Sequence, residues 1–297
     1  MRLYYQLTTI DPIIVSQTSA TTNNHECLDY IPGSAILGAL ASQHYTDLSA
    51  EQSWQAFHTS GCRFSPCYAV KDQQASLPVP ASWHFAKGKT LTENNKKIAK
   101  DVVTNHAHSD FKREPTTQYK QWRDAYITAS GFQAEVTKGL STKTAIDTTK
   151  GSAKKSMLFS YSYLDAKQNF IGWIDCPDEQ LRLKFEKSLN GSFRLGRSRN
   201  SEFGRVQVRV LDIKNETTPK NLGNELVLWC VSDVQILNEY GMPCLTPQLQ
   251  DIHPDFNGKL VPERSFIRSQ SISRYNQTRQ GLDSEQILIS KGSVLVY

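Results

Sequence analysis

The sequence predicts an α+β fold built on a β-α-β-β-α-β unit, and three observations carry that reading. Residues 1–213 run strand, helix, strand, polar insertion, strand, helix, strand. The clearest helix, "PDEQLRLKFEKSLNG", repeats Leu181, Phe185 and Leu189 at four-residue spacing. The stretch that soon follows, "GRVQVRVLDI", switches to the two-residue alternation of a half-buried strand.

Taken in order, "RLYYQLTT" is rich in β-branched and aromatic residues and reads as a first strand over 2–9. The chain turns at Pro32-Gly33. A helix starts near Ser34, whose hydroxyl suits the free amides of a first turn, with Ile36, Leu37, Leu40 and Ala41 as its apolar face. "CRFSPCYAV" gives a short strand near 62–70, broken by Pro66. Residues 72–155 are polar and Lys-rich and read as a partly helical insertion, with helical spacing around Ile98, Val102 and Val103 and around Tyr119, Trp122 and Tyr126. The insertion ends in a loop, "KGLSTKTAIDTTKGSAKK", expected to be mobile. "SMLFSYSYLDAKQNFIGWIDC" reads as a hairpin turning at "DAKQN". In the second helix Pro177 suits the first turn and Gly191 a left-handed C-terminal cap. Together these elements make a ferredoxin-like (RRM-like) domain over 1–213. A polar linker, 214–224, leads to a strand-rich stretch, 225–297, that reads as a second, incomplete ferredoxin-like sheet.

A chain of 297 residues with 38% hydrophobic and 21% charged residues reads as globular, and no run approaches the roughly 18–20 apolar residues of a membrane span. The start "MRLYYQLTTIDPIIVSQ" lacks the apolar core and small-residue cleavage site of a secretory signal, so a cytoplasmic location is the expectation. The six cysteines have no repeated C-x-x-C spacing. Cys62 and Cys67, with four residues between them and no second pair nearby, make a poor zinc site, and free thiols are the better reading. No metal or cofactor is implied.

Net charge is +5, and its distribution says more than its size. Eight Lys/Arg face two acids between Arg182 and Arg209, five lysines face one acid between Lys138 and Lys155, and five basic residues face one acid between Lys259 and Arg279. With Phe193, Phe203, Phe266 and Tyr275 interleaved, this is the pattern of a phosphate-backbone binder, set against the plainer reading of solvated faces.

Within the first stretch, Gly191 to Ser198 spells G-x-x-x-x-G-R-S, one residue from a nucleotide-binding P-loop. A P-loop must leave a strand and open a helix, because helix-start amides cradle the phosphates. Here a helix precedes and a strand follows, and Arg197 replaces the lysine, which excludes an ATP site. What remains is a loop with Gly191, Gly196 and Gly204 and with Arg194, Arg197, Arg199 and Arg205. It suits either oxyanion binding or a hairpin-like connection with solvated arginines.

"GSFRLGRSRNSEFGRVQV" resembles the glycine-rich loop of the repeat-associated mysterious proteins, the RAMP superfamily of CRISPR effector subunits. "LDYIPGSAILGALAS" resembles a second hallmark of that superfamily, and "STKTAIDTTKGSAKKSMLFSYSYLD" resembles its "aid-x-x-tg-x-a" loop. "SFIRSQSIS" and "LDSEQILISKGSVLVY" are similar to the later region of the subunit that caps the five-prime handle in type III-D complexes; a compact variant type I (I-F variant) complex fits the short length. The resemblance implies a non-catalytic subunit holding the five-prime handle of a CRISPR RNA, with backbone subunits and target nucleic acid as further partners. It implies RNA contacts at Gly191, Arg194, Gly196, Arg197, Arg199, Gly204 and Arg205, and at Lys143, Lys150 and Lys154. Lys87, Lys89, Lys96, Lys97 and Lys100, within the 84–126 insertion, are candidate contacts to DNA flanking the target. Two glycine loops are usual in relatives with two such units, and 225–297 carries no second one.

The alternative is a metal-independent endonuclease processing repeat RNA, for which His25 and His44 are the candidate acid-base groups. His25 lies in a polar loop and His44 late in the first helix, and a structural or solvated role is the plainer reading of each. Asp147 is a candidate for metal-dependent cleavage, but its loop resembles that of non-cutting relatives. His106 and His108 lack a third ligand and read as surface residues.

Overall fold

The first strand, β1 (Arg2–Thr9), alternates as its sequence requires: Leu3, Tyr5, Leu7 and Thr9 are buried, and Arg2 on the other face is exposed. In the computed structural model, residues 1–16, 24–99, 101–147, 149–199, 202–213, 223–273, 275–276 and 279–297 are described, save the side chains of 24, 25, 147, 154–157, 275 and 276. The chain forms two units, residues 1–75 with 135–214 and residues 76–134 with 215–297.

The first unit carries the β-α-β-β-α-β order. After β1 come helix α1 (Gly33–His44), a second helix α2 (Ala50–Phe57), and the short strands Arg63–Phe64 and β2 (Tyr68–Lys71) on either side of Pro66. Then follow β3 (Asn169–Asp175), helix α3 (Glu179–Leu189) and β4 (Arg205–Leu211). The strands pair antiparallel in the order β2-β3-β1-β4, with Gly191–Arg194 as a further edge strand on β4. Opposing β1 with β3 in the register Tyr5↔Gly172 and Leu7↔Phe170 sets the core-facing side chains of both central strands on one face. Two helices fold over that face. α1 buries Ile36, Ala39 and Leu40, and α3 buries Leu181, Phe185 and Leu189, with Phe185 edge-on to Phe57 and Phe64 at 6.1 and 5.9 Å.

Several local expectations change. α1 begins at Gly33 with no side-chain cap, so Ser34 sits inside the first turn rather than capping it. α3 is capped by Asp178, whose carboxylate accepts from the Leu181 amide at 2.8 Å, and Pro177 lies just outside. Its far end is closed by Asn190, which donates to the Glu186 carbonyl and accepts from the Val210 amide, both at 2.9 Å, while Gly191 opens the edge strand. The "mobile loop" is a long hairpin, Lys138–Asp147 against Ser152–Leu164. The sequence around "DAKQN" is therefore no hairpin turn: the strands on its two sides pair with different partners, Ser152–Leu164 with Lys138–Asp147 and β3 with β1. Thr142, Thr144 and Ile146 are β-branched and lie opposite a strand of matching length, which a single-segment reading cannot see.

The boundaries expected at 1–213, 214–224 and 225–297 are not those along which the chain clusters, and the linker lies outside the described residues apart from 223–224. Residues 76–134 join 215–297 because their apolar side chains find partners there: Ala107 is buried with Val294 and Val296, and the Ala81 amide donates to the Gly292 carbonyl at 2.6 Å. Helix within 72–155 is limited, among the described residues, to the single 3-10 turn Asn94–Lys96. The helical spacings fall instead on short strands, Trp83–Ala86 flanked by Val103–Asn105 and Tyr119–Gln121, with Trp83, Phe85 and Val103 against the buried cluster Val79, Trp122, Ala125 and Ile127. Residues 225–297 are strand-rich as expected, in separate two-stranded ladders such as Val227–Trp229 with Val294–Val296 and Ser269–Ile272 with Gln286–Ile289.

Candidate nucleic-acid interface

The glycine-rich loop leaves the edge strand at Arg194 and re-enters the sheet at Arg205. Alternation puts Phe193 and Leu195 into the core, and Phe203 follows them (4%, 1% and 3% exposed), which leaves the arginines between them outside. The two Phe residues are anchors for the loop; they are too deeply buried to stack on bases, contrary to the interleaved-aromatic expectation. The segment Pro12–Ile14 holds the loop from below. The Arg197 amide donates to the Ile14 carbonyl and the Gly204 amide to the Pro12 carbonyl, both at 2.9 Å, and the Leu195 amide donates to the Gly204 carbonyl at 2.8 Å.

These contacts explain two of the three glycines. Gly196 has φ +79° and a Cβ there would stand 2.3 Å from the Ile14 carbonyl oxygen; Gly204 has φ +94° and a Cβ would stand 2.4 Å from that of Leu195. Both are required by the protein's own backbone. Gly191 has no atom near the place of its missing Cβ.

Beside the loop lies an open cleft of about 490 Å³, lined by Ala39, Ser42 and Gln43 of α1 and by Ser192, Phe193, Arg194, Arg199 and Arg205. Arg194 and Arg197 are exposed and Arg199 is half-buried. The Arg194 guanidinium donates to the Arg199 carbonyl, which orders one side of the rim. Arg205 is committed elsewhere: it makes a two-pronged pair with Asp11 at 2.7 and 2.9 Å. That guanidinium, and more weakly the charge of Arg194, hold the Asp11 carboxyl below the usual carboxylate range. The cleft therefore presents Arg194 and Arg199 as its cations, with the Ser42 and Gln43 side chains as polar lining.

The structure brings Lys143 to the loop. Its ammonium pairs with Glu202 and stands 5.2 Å from the ring centre of Phe203, which in turn contacts Tyr163 of the same hairpin. Lys150 is exposed in the hairpin's turn, and the Lys154 side chain lies outside the described residues. Lys87, Lys89, Lys96 and Lys97 belong to the second unit and are exposed; Lys87 donates to Gln118 at 3.3 Å and Lys97 lies 5.7 Å from the Phe132 ring centre. Lys100 lies outside the described residues.

Among the candidate acid-base groups, the His44 Nδ1 is 2.9 Å from the Asp47 carboxylate, a local pair at the end of α1. The side chains of His25 and Asp147 lie outside the described residues. His108 accepts from the Asp110 amide at 3.2 Å, whereas His106 is half-buried within a stack of rings rather than on an open surface. Cys62 is linked by a thiol hydrogen bond to Cys176, not to Cys67, and all six thiols are free. Among the described residues no three His, Cys, Asp or Glu side chains converge on a metal position, and no helix is long and apolar enough to cross a membrane.

Sequence reasoning missed Asp11, the Pro12–Ile14 brace and the Ser42–Gln43 wall of the cleft. Asp11 meets Arg205 across 194 residues of chain, and nothing in "TTIDPIIV" marks that encounter.

The first unit is thus a ferredoxin-like sheet with an arginine-bearing loop at one edge, tied to the Pro12–Ile14 segment through the Arg197 and Gly204 amides. No family model and no curated protein matches the chain. Among solved structures, a chain of the type III-B Cmr-beta complex bound to cognate target RNA and AMPPnP is similar over 99% of this protein and 86% of its own length, with a TM-score of 0.58 at 12% identity. A chain of the same complex bound to cognate target RNA covers the same shares, with a TM-score of 0.56 at 13% identity. At that identity the likeness is one of fold, and it extends across both units of the chain.

Proposed function

We propose that the protein is a non-catalytic, RNA-binding subunit of a multisubunit class 1 CRISPR complex that holds the five-prime handle of the guide RNA. The observation that carries this reading is the cleft beside a loop braced at both ends, with Arg194 and Arg199 on its rim and Arg197 exposed next to them. Bracing matters because donors held in place lose little freedom when a phosphodiester backbone arrives. The three sequence motifs in family order and the fold shared with a chain of an RNA-bound type III-B complex support the same reading. On this reading Lys143 and Lys150 extend the RNA path along the hairpin, and Lys87, Lys89, Lys96 and Lys97 of the second unit are candidates for target-flanking DNA.

The test replaces Arg194, Arg197 and Arg199 together by Ala and measures binding of labelled guide RNA over a range of salt. Three lost phosphate contacts should weaken binding and make the plot of log affinity against log salt shallower by about 2, at about 0.7 per single-strand contact. Affinity and slope equal to those of the parent protein would sink the assignment. Repeat RNA incubated with the protein in EDTA should come back whole; a discrete cut that disappears in His44→Ala would overturn the non-catalytic part.

A further inference from the structure

The three-stranded sheet of the second unit has two unlike faces. Trp83 and Phe85 point into the Val79–Trp122–Ala125–Ile127 cluster. On the opposite face, His84 stands across from Thr104 on one neighbour and Gln121 on the other. His106 and Tyr119 continue that face and gather Phe111 onto it. The His84 and His106 rings stack at 4.0 Å with 8° between planes, and His106 and Phe111 stack at 3.8 Å and 19°. Tyr119 sets its edge against both His106 and Phe111, at 4.9 and 5.9 Å. The inner end rests on Phe266, 5.3 Å from His84, which packs against buried Ala107, Val294 and Val296. The outer end is Phe111, half-buried, on which no further ring stacks among the described residues.

We propose that this column of His84, His106 and Phe111, closed at its inner end by the tilted ring of Phe266, is a platform on which an unpaired base of a nucleic-acid single strand stacks, against the outer face of Phe111. The inference rests on the reading of the chain as a nucleic-acid-binding subunit and adds to it a second, base-contacting site, away from the glycine loop in the sequence. Three features point to a base rather than to an apolar protein segment. The column is flat and π-rich, and base–aromatic stacking accepts any base because each has a π-face. One nitrogen of each imidazole already has a partner: the His84 Nδ1–H donates to the Ser82 carbonyl at 2.9 Å, and His106 Nε2 lies 3.2 Å from Thr104 Oγ1, which donates to the His84 carbonyl. Cations stand close to it: the charge of Arg113 acts on both His84 and His106 and that of Arg123 on His84, and Lys112 and Arg113 are exposed directly after Phe111. Burial, the ring of His84 and the charge of Arg113 lower the pKa of His106 to about 4, and burial with Arg113 and Arg123 lowers that of His84, so the column is uncharged at neutral pH.

The experiment uses the full chain and a short oligouridine carrying one photoreactive 4-thiouridine. In the parent protein, irradiation should place the crosslink on the segment around Phe111. Phe111→Leu keeps apolar bulk but removes the flat ring, and should lower affinity for the oligouridine by about five- to 150-fold and abolish that crosslink. Phe111→Trp should bind as well as the parent or more tightly, which a merely structural role for the ring does not require. Unchanged affinity in Phe111→Leu, weakened binding in a folded Phe111→Trp, or a crosslink confined to other segments overturns the platform. Loss of a partner protein from Phe111→Leu without loss of oligonucleotide binding would identify a protein contact instead and equally overturn it. Failure here with the arginine triple variant still impaired in guide-RNA binding would remove the platform and leave the proposed function standing.

Discussion

Replacing Gly196 by Ala should separate a glycine kept for the protein's own fold from one kept for a ligand. The added methyl would stand 2.3 Å from the Ile14 carbonyl oxygen and 3.1 Å from its carbon, at a residue with φ +79°. Neither atom belongs to a flexible side chain, so the Pro12–Ile14 segment has to retreat, and the Arg197–Ile14 hydrogen bond of 2.9 Å goes with it. Left-handed backbone without glycine costs about 1 kcal/mol, overpacking adds about 1–3 kcal/mol, and a lost main-chain bond adds about 1 kcal/mol. Gly196→Ala should therefore lose about 3 kcal/mol or more in urea unfolding followed by tryptophan fluorescence. Hydrogen exchange at the Leu195 and Arg197 amides should accelerate with it. Gly191→Ala meets no neighbouring atom and, at φ +154°, should lose only about 1 kcal/mol. If Gly196→Ala unfolds within about 0.5 kcal/mol of the parent, the brace argument is wrong and the glycine serves the approach of something else.

Two further outcomes follow from the same geometry. The folded-state pKa of His106 is lowered to about 4, from an ordinary value of 6.5, so between those limits the unfolded chain takes up a proton that the folded ring refuses. Stability should fall as pH drops from about 6.5 towards 4; thermal melts of His106→Phe, which keeps a ring in the stack, should lose that part of the slope, and an identical pH dependence in both proteins would contradict it. Lys143→Ala removes an exposed pair with Glu202 worth less than about 1 kcal/mol, so the urea midpoint should hold while the salt slope for guide RNA becomes shallower by about 0.7. An unchanged slope would take Lys143 out of the RNA path.

The parts of this protein that were legible in its sequence are those where the physics is local. A two-residue alternation marked β1 and β4, a four-residue repeat marked α3, and the helix-before, strand-after context of the glycine loop excluded a nucleotide cradle without reference to any contact. The helical spacing assigned to residues 98–103 and 119–126 failed because short apolar runs fit either period, and the strand at Trp83–Ala86 that decides between them is drawn in from a distance. The hairpin at 138–164 was hidden for a related reason: Ser, Thr and Lys signal a loop until a matching strand supplies the hydrogen bonds.

The candidate site divides along the same line. Sequence alone determined that arginines and glycines would share one loop between a helix and a strand, because both neighbours are fixed by local periodicity. Only the tertiary structure decided what each one does. Gly196 and Gly204 face the protein's own carbonyls, Arg205 is taken by Asp11, Phe193 and Phe203 are anchors, and Arg194 and Arg199 are left to line the cleft with α1. Those assignments depend on which distant backbone comes within about 3 Å, a distance set by sheet register and helix packing, which no spacing within one segment encodes.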